Sequence, residues 1–498
     1  MFWADKILEK RAGKEWINDA WTPSGIVHMG GLKGPVIHDV VYKILKSQGR
    51  DVKYTYGFDD MDAIDGLPQN LQEKLGKYMG IPICNAPAPE GGGTFGEYYA
   101  NMMRKMFETL GVEAEIYLAS DYYPKGVYNE AIRFVLDNAD KIRKVYSEMY
   151  SKQISSTWFP LQVVCPNCGK VGTTEVTGWD GKEVFYSCRK DKVKWAQGCG
   201  GSGKISPSDG NATMPFKVEW AAKWWVFKVT IEGAGKDHAS AGGTYDVARK
   251  IVKDVFGQNP PLALPYEFFL YDGKKMSSSK GLGLTGQELL EVMPPQMVRF
   301  LMIKTDPNIA VEFNPFGTQI IPKLYDDYQK AAYEFENHEE TDFARAFELS
   351  KIGEVYLPPK FRFLTLAQWV QMPNMDKEIK KEGLEEWAKY ARVWVEKFAP
   401  ESDKFIVQKE LPEIVKNLKP EQKKYLQKLS QSLNKTMSAE ELQTEIYNLG
   451  KEVGITSKDA FAAIYTALLG KDHGPKAAWL IASLEAEFVT QRFSDASK

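Results

Sequence analysis

Between Trp16 and Phe58 the apolar positions change their period twice. WINDAW, residues 16–21, reads as a short strand, and TPSGIVHMGG, residues 22–31, follows as a run of turn formers. Val36, Ile37, Val40, Val41, Ile44 and Leu45 then recur at i, i+1, i+4, i+5, i+8 and i+9, which is one apolar face of an α-helix. Gly49 stands where a glycine just past the last turn stops such a helix. Val52, Tyr54, Tyr56 and Phe58 alternate at period two, as in a strand half buried in a sheet. A β-loop-α-β unit of this kind joins parallel strands through a right-handed crossover. It predicts an α/β fold with a doubly wound nucleotide-binding sheet and ligands beyond the strands' carboxyl ends, where the 22–31 loop lies.

Further along, Ile132, Val135, Leu136, Ala139, Ile142, Tyr146 and Met149 keep helical spacing and predict one covering helix. From 156 to 212 the texture changes to short strand-like runs, many glycines and four cysteines, which reads as an inserted metal-binding module. A strand signal returns at YEFFLY, 266–271, before a turn and KMSSSK, so the insertion splits the sheet; Pro294-Pro295 marks a boundary. From about 355 onward helical patterns dominate. Ser438 with Glu441 and Thr456 with Asp459 fit helix starts, and Phe461, Ile464, Tyr465, Leu468 and Leu469 form a face that ends at Gly470. The expected division is a core in two halves, 1–155 and 213–290, the insertion at 156–212, a connecting region at 291–350, and a helical domain at 351–498.

Composition narrows the function classes. The 498 residues carry 64 Lys+Arg against 66 Asp+Glu, a net charge of -2, so a nucleic-acid partner has to be met by a local basic surface. No run approaches the ~18 apolar residues of a membrane helix, and the opening MFWADKILEKRAGKEW is too charged for a secretory signal; a cytoplasmic protein with no membrane partner is expected. Four of the five cysteines, Cys165, Cys168, Cys188 and Cys199, follow C-x2-C-x19-C-x10-C. The compact first pair suits one knuckle on a tetrahedral zinc ion, with the distant pair completing it, although free buried thiols fit the spacing too. Cys84, outside the cluster, reads as a small buried hydrophobe. Residues 151–204 hold eight Lys or Arg against four Asp or Glu, an excess that suits an acceptor stem or a solvated surface equally.

Two segments carry candidate chemistry. Gly281, Gly283 and Gly286 match G-x-G-x-x-G but lack its βαβ context, and there is no G-x-x-x-x-G-K-[ST] loop, so a P-loop does not hold ATP. PSGIVHMGG places His28 before Gly30 and Gly31 at a helix N-terminus, where unpaired N–H groups and the dipole favour phosphate. DGKKMSSSKG, 272–281, sets Lys274, Lys275 and Lys280 among Ser277, Ser278 and Ser279 on a glycine-bounded loop, and such mobile cations and hydroxyl donors suit a phosphoryl transition state. Taken singly, a glycine-rich turn and a solvated charged loop explain them as well.

Together, a Pro-x-Gly-x-x-His-x-Gly loop after the first strand and a K-M-S-x-S loop after a late one resemble the two signatures of class I aminoacyl-tRNA synthetases. Within that class the chain resembles the class I lysyl-tRNA synthetases. The residues carrying this are TPSGIVHMGG, GKDHASAGG at 235–243, KMSSSKG at 275–281, FNPFGTQIIPKLYDDYQKA and LLGKDHGPKAAWLI at 468–481. The resemblance implies a Rossmann-type catalytic core with a zinc-binding insertion, a stem-contact region at 291–350 and an all-α anticodon-binding domain. It implies that L-lysine and ATP with Mg2+ give lysyl-adenylate, and that the lysyl group passes to the 2′-hydroxyl of a lysine-accepting tRNA; a monomer is expected.

Carried over by residue, His28, Lys275, Ser277 and Ser279 become catalytic, and Gly30, Gly31, Gly235, Asp237, Met276, Ser278 and Lys280 bind ATP. Thr22, Trp220, His238 and Tyr266 line the lysine pocket, while Cys165, Cys168, Cys188 and Cys199 hold zinc. Trp220, Trp224 and Trp225 also fit a buried helix face. The chain departs from the pattern at Gly31, where the class usually has His or Asn, at Ser278, which replaces a lysine, and in GFDDMDAIDG, which lacks the expected proline and basic residues. Asp59-Asp60 there suits either an active-site edge or a strand-end turn. The competing functions are a glutamate-type class I synthetase and a weakly catalytic tRNA-binding paralogue.

Overall fold

In a computed structural model of the chain, residues 1–9, 11, 13–276, 283–433 and 437–498 are described. Two compact units result. The first comprises Met1–Leu290, Pro294–Phe313 and Tyr333–Tyr356, and the second Glu291–Met293, Asn314–Ala332 and Leu357–Lys498.

The first unit is built on five strands: β1 (Glu15–Trp21), β2 (Val52–Phe58), β3 (Glu115–Leu118), β4 (Ile231–Gly235) and β5 (Leu262–Tyr266). Their order is β5-β4-β1-β2-β3 and every pairing is parallel. Chain order reverses between β1 and β4, which is where a doubly wound sheet opens a crevice for ligands. Registers align the carboxyl ends. Trp21 faces Phe58 and Gly235 faces Tyr266, while the pairing of Ile17 with Ile231 brings β1 and β4 level.

The apolar face predicted for residues 36–45 is buried in α1 (Lys33–Ser47), which starts from a 3-10 turn at Met29–Leu32. Gly49, at φ +69°, follows its last turn. Two contacts aim this helix. His38 lies wholly buried, its Nδ1 donating to the Gly34 carbonyl and its Nε2 accepting from the Gly233 N–H, both at 2.8 Å, which ties α1 to β4. On the other side Asp39 takes ion pairs from Lys43 at 2.8 Å and from the buried Arg299 at 2.7 Å. Arg299 also donates from its two terminal nitrogens to the carbonyls of Leu110 and Leu349, while its buried Nε has no partner among the described residues.

Two predicted elements are corrected. The single helix expected over residues 132–149 is two, Asn129–Asp137 and Ala139–Tyr150, because Asn138 leaves helical geometry and its side-chain amide donates to the Phe134 carbonyl. The strand expected at 266–271 is also divided. Tyr266 closes β5, whereas Phe269–Tyr271 joins a separate sheet, antiparallel to Lys274–Lys275 and parallel to Val311–Glu312. The Glu267 N–H donates to the Pro307 carbonyl between them, so pairing with a segment 40 residues away turns the chain out of the main sheet.

The insertion contains an antiparallel pair, Gln162–Val163 with Ala212–Thr213, and a three-stranded antiparallel sheet of Thr174–Trp179, Val184–Cys188 and Ser202–Ile205. It has no core of its own. Val163, Val176, Val184 and Ala212 belong to the same buried cluster as Ile132, Val145, Trp224 and Ile251 of the surrounding helices.

The second unit is helical, from Phe363–Trp369 to Ala486–Ala496. Ser438 and Glu441 form a reciprocal capping box on Ala439–Val453, and Thr456 caps Ser457–Leu469, which ends at Gly470 with φ +69°. Among the described residues no helix is long and apolar enough to cross a membrane.

Candidate active site

At the switch point a cavity of about 80 Å3 is lined by Asp19 and Ala20 from β1, Asp59 after β2, Glu232–Gly235 from β4, Tyr266 from β5, and Phe216, Trp220, Lys223 and His238. The helix Phe216–Phe227 supplies its aromatic wall. Trp224 is fully buried, as a core residue is, whereas Trp220 is only partly covered. Both indoles close on one carboxylate. Trp220 Nε1 donates to Glu232 Oε1 at 2.8 Å and Trp224 Nε1 to Oε2 at 2.6 Å, and Asn18 Nδ2 reaches Oε2 at 3.2 Å. The Trp220 ring stands edge-on to His238 at 5.9 Å and to Tyr245 at 5.2 Å.

Charge in this cavity is mostly negative. Lys223 is buried between Asp59, with which it is hydrogen-bonded, and Glu219 at 3.1 Å. Burial penalises its ammonium, but the two carboxylates outweigh that and raise its pKa. Glu232 is pushed up to about 7, first by burial and then by the charge of Asp19, against the donors that hold it. Asp19 Oδ2 is buried without a hydrogen bond among the described residues, at 3.4 Å from His38 Nδ1. Tyr266 sits over the first turn of α1. A Cβ at Gly34 would lie 2.6 Å from its hydroxyl, so only glycine fits there.

The two signature loops meet beside the cavity. The Met29 N–H donates to the Leu284 carbonyl at 2.8 Å, and His28 bridges Thr285. His28 Nδ1 is buried without a partner among the described residues; burial and then the charge of Lys275 lower the imidazole's pKa, which keeps it neutral near pH 7. Gly30 is required by that ring, since a Cβ would lie 2.8 Å from His28 Cε1. At Gly31 a Cβ would lie 2.7 Å from Val27 Cγ2, so the side chain that the class usually carries there collides with the preceding loop.

Lys275 Nζ rests on Asp237 Oδ2 at 2.5 Å, and its charge lies 4.5 Å over the Phe268 ring. Burial works against the Asp237 carboxylate, but this hydrogen bond and the charges of His238 and Lys275 prevail and lower its pKa. Lys33, behind the loop, donates to the Glu267 carbonyl and is brought down to about 8 by burial.

His28, Gly235, Asp237, His238, Trp220, Tyr266 and Lys275 therefore share one neighbourhood. Met276 is buried beneath Gly283, where a Cβ would lie 2.7 Å from its sulfur. Ser277, Ser278, Ser279 and Lys280 lie outside the described residues. Thr22 is not brought into the cavity: it lines a neighbouring cleft of about 420 Å3, where its hydroxyl donates to Asp62 at 2.8 Å. Burial, then Asp59 and Glu219, push Asp62 up to about 8. The Asp59-Asp60 pair divides its work, for Asp59 lines the cavity while Asp60 accepts from the N–H and hydroxyl of Ser120. Asp19, Glu232 and Lys223 were not singled out from the sequence. Their signal was a charge inside an otherwise apolar strand or helix, in WINDAW, VTIEGAG and VEWAAKWW.

The four cysteine sulfurs lie within 4.8 Å of one another, with Cys165 to Cys199 and Cys168 to Cys188 both at 3.7 Å. Four thiolates about 2.3 Å from a tetrahedral zinc are separated by roughly 3.8 Å, so the set fits that ion. The first pair flanks a tight turn closed by Gly169 at φ +71°. The second pair is joined by a hairpin in which the Cys188 N–H donates to Gly201 and the Gly200 N–H to Cys188, which accounts for its ten intervening residues.

Residues 1–353 match the family model described as tRNA synthetases class I (K). The chain belongs to that family. Residues 365–497 match an anticodon binding domain. A lysine–tRNA ligase of Archaeoglobus fulgidus is 34% identical over 100% of both chains, and one of Picrophilus torridus is 30% identical over 99% of each. A solved glutamate-tRNA synthetase from Elizabethkingia anophelis superposes with a TM-score of 0.47 at 14% identity, covering 97% of this chain and 99% of that one. Class I tRNA synthetases take an amino acid, ATP and tRNA as substrates, and their parallel sheet and helical anticodon domain are those described above.

Proposed function

We propose that the chain ligates L-lysine to a lysine-accepting tRNA through lysyl-adenylate. The observation that carries this reading is the charge of the switch-point cavity. Asp19, Asp59 and Glu232 face it against one cation, Lys223, which Asp59 and Glu219 already engage. A cationic side chain is attracted by that wall, whereas the carboxylate of glutamate meets like charge. Trp220, Phe216 and Tyr266 suit an apolar stem ending in an ammonium, by packing and by cation-π attraction. The names carried by the similar archaeal ligases point the same way.

In this reading the lysine carboxylate attacks the α-phosphorus of ATP, the α–β anhydride bond breaks and pyrophosphate leaves. The 2′-hydroxyl of the terminal tRNA adenosine then attacks the adenylate carbonyl, AMP departs, and the hydroxyl proton goes to solvent. Neutral His28, Gly30, Gly31 and the helical turns that follow receive phosphate. Lys275, with Ser277, Ser279, Ser278 and Lys280 on its loop, meets the charge of the leaving pyrophosphate. Gly235 and Asp237 lie beside the ribose, and Mg2+ accompanies ATP. Zinc on Cys165, Cys168, Cys188 and Cys199 supplies structure to the insertion.

Aminoacylation of unfractionated tRNA with each amino acid in turn tests this. Lysine is the expected substrate, and arginine is excluded by its wider planar guanidinium. Efficient charging with glutamate and none with lysine overturns the reading.

A further inference from the structure

The cleft of about 420 Å3 beside the switch-point cavity holds a carboxylate that the reaction above leaves without work. Thr22 and Asp62 line this cleft, and Phe216 walls both it and the cavity, so the two spaces adjoin. We propose that Asp62 is the catalytic base of the transfer step, taking the proton of the terminal 2′-hydroxyl as that oxygen attacks the adenylate carbonyl; this rests on the tRNA-ligase reading above and gives the proton its path to solvent.

The GFDDMD run, residues 57–62, sets three carboxylates at the end of β2, and two of them are engaged. Asp59 is bound to Lys223, and Asp60 accepts from both the N–H and the hydroxyl of Ser120. Asp62 accepts one hydrogen bond, from the Thr22 hydroxyl to Oδ2, and its carboxylate makes no other among the described residues. Its backbone is fixed. The Ile83 N–H donates to the Asp62 carbonyl at 2.8 Å, Ala63 bridges Pro82, and from the insertion the Val171 N–H donates to the Gly80 carbonyl at 2.8 Å. The half-buried carboxylate is therefore held at the cleft before a substrate arrives.

Acyl transfer needs the hydroxyl within bonding distance of the adenylate carbonyl, and a cavity of about 80 Å3 has no room for a ribose beside the lysine stem. The ribose has to approach from the wider adjoining cleft. Asp62 stands there, tied through Thr22 to the loop that carries His28, whereas Asp65, the other carboxylate lining the cleft, is exposed to water. Burial, then the charges of Asp59 and Glu219, favour protonated Asp62 against the Thr22 hydrogen bond and the charge of Lys223, and hold it at about 8. Such a group can both take and release a proton near neutral pH. As the ester C–O bond forms, the hydroxyl proton passes to the Asp62 carboxylate. The bond from the acyl carbon to the AMP oxygen breaks, AMP leaves with the electron pair, and Asp62 gives the proton to water in the open cleft.

The test is single-turnover charging of whole tRNA by the full chain at saturating lysine and ATP, with lysyl-adenylate and lysyl-tRNA both quantified at each time point. Asp62→Asn, which can still accept from Thr22, should slow transfer about 100-fold and accumulate lysyl-adenylate, with adenylate formation and melting temperature little changed. The wild-type transfer rate should rise with pH and level off above about 8, and the variant should lose this dependence. Unchanged transfer in Asp62→Asn, or equal slowing of adenylate formation and transfer, overturns the assignment. So does a wild-type transfer rate that is flat between pH 6 and 9, a result that decides the matter even where the variant does not fold. Absence of lysyl-tRNA with wild type overturns the lysine reading instead, and the same comparison with the amino acid that is charged then judges Asp62.

Discussion

In the proposed lysine pocket, Glu232 would link recognition to pH through one buried side chain. Its folded pKa of about 7 stands above the ordinary 4.5 because burial, and then the charge of Asp19, disfavour the anion. A carboxyl raised in this way contributes stability that is complete below about 4.5 and is lost as pH rises through 7, on the order of 3 kcal/mol. Lysine binding has the opposite sign, since an ammonium favours the ionised form. The expected outcome is that the lysine KM falls as pH is raised from about 6 to 8, and that Glu232→Gln flattens the profile; an identical slope in that variant removes Glu232 from recognition. Trp220→Ala should raise the lysine KM roughly 5- to 30-fold, corresponding to about 1–2 kcal/mol of desolvated cation-π contact, with the ATP KM little changed. At this scale the sequence was partly legible. His238 stands in the GKDHASAGG motif and Trp220 and Tyr266 come from the family resemblance, whereas Asp19 and Glu232 acquire meaning only when adjacent strands bring their charges to one wall.

Elements were legible where a local pattern decides them. The face at 36–45, the strand at 52–58 and the caps at Ser438 and Thr456 all form, because periodicity and capping are local causes. The break at Asn138 and the exit of the chain after Tyr266 depend on a side-chain amide and on a distant partner strand, neither of which periodicity encodes. The insertion combines both kinds of cause. Its first cysteine pair was evident from C-x2-C, but the second is closed by a hairpin whose fold the spacing does not reveal. Purified protein is expected to carry about one zinc per chain. Cys165→Ser should lower that occupancy and open the segment 162–213 to proteolysis. Because its buried residues share the cluster of the helices Asn129–Asp137, Ala139–Tyr150 and Phe216–Phe227, the variant should also lose a few degrees of melting temperature. Protein prepared without chelators that contains no zinc would reject the assignment.

For the whole molecule, the candidate active site is assembled from segments more than two hundred residues apart. One β-loop-α-β unit predicts a parallel sheet, but the order β5-β4-β1-β2-β3 arises only when the chain returns from the insertion and lays β4 beside β1. That return places Asp237, at the end of β4, under Lys275, and the same closure lets the 284–285 segment pair with His28 and Met29. The His28 loop is thus locked to one end of the Lys275 loop while Lys275 is parked on a partly exposed carboxylate. Such a pair adds little to stability, because two half-exposed charges are screened by water. Its release is therefore inexpensive, so in the proposed reaction the ammonium would be free to meet charge that develops on ATP only as pyrophosphate leaves. An interaction made chiefly in the transition state should appear in the rate and not in ground-state affinity. Lys275→Ala is accordingly expected to slow single-turnover adenylate formation, measured with tRNA present, on the order of 100- to 1000-fold while the lysine KM shifts no more than about threefold. Asp237→Asn, which removes the resting partner but leaves the cation, should retain far more of the rate. An unchanged single-turnover rate in Lys275→Ala would take this lysine out of the chemistry.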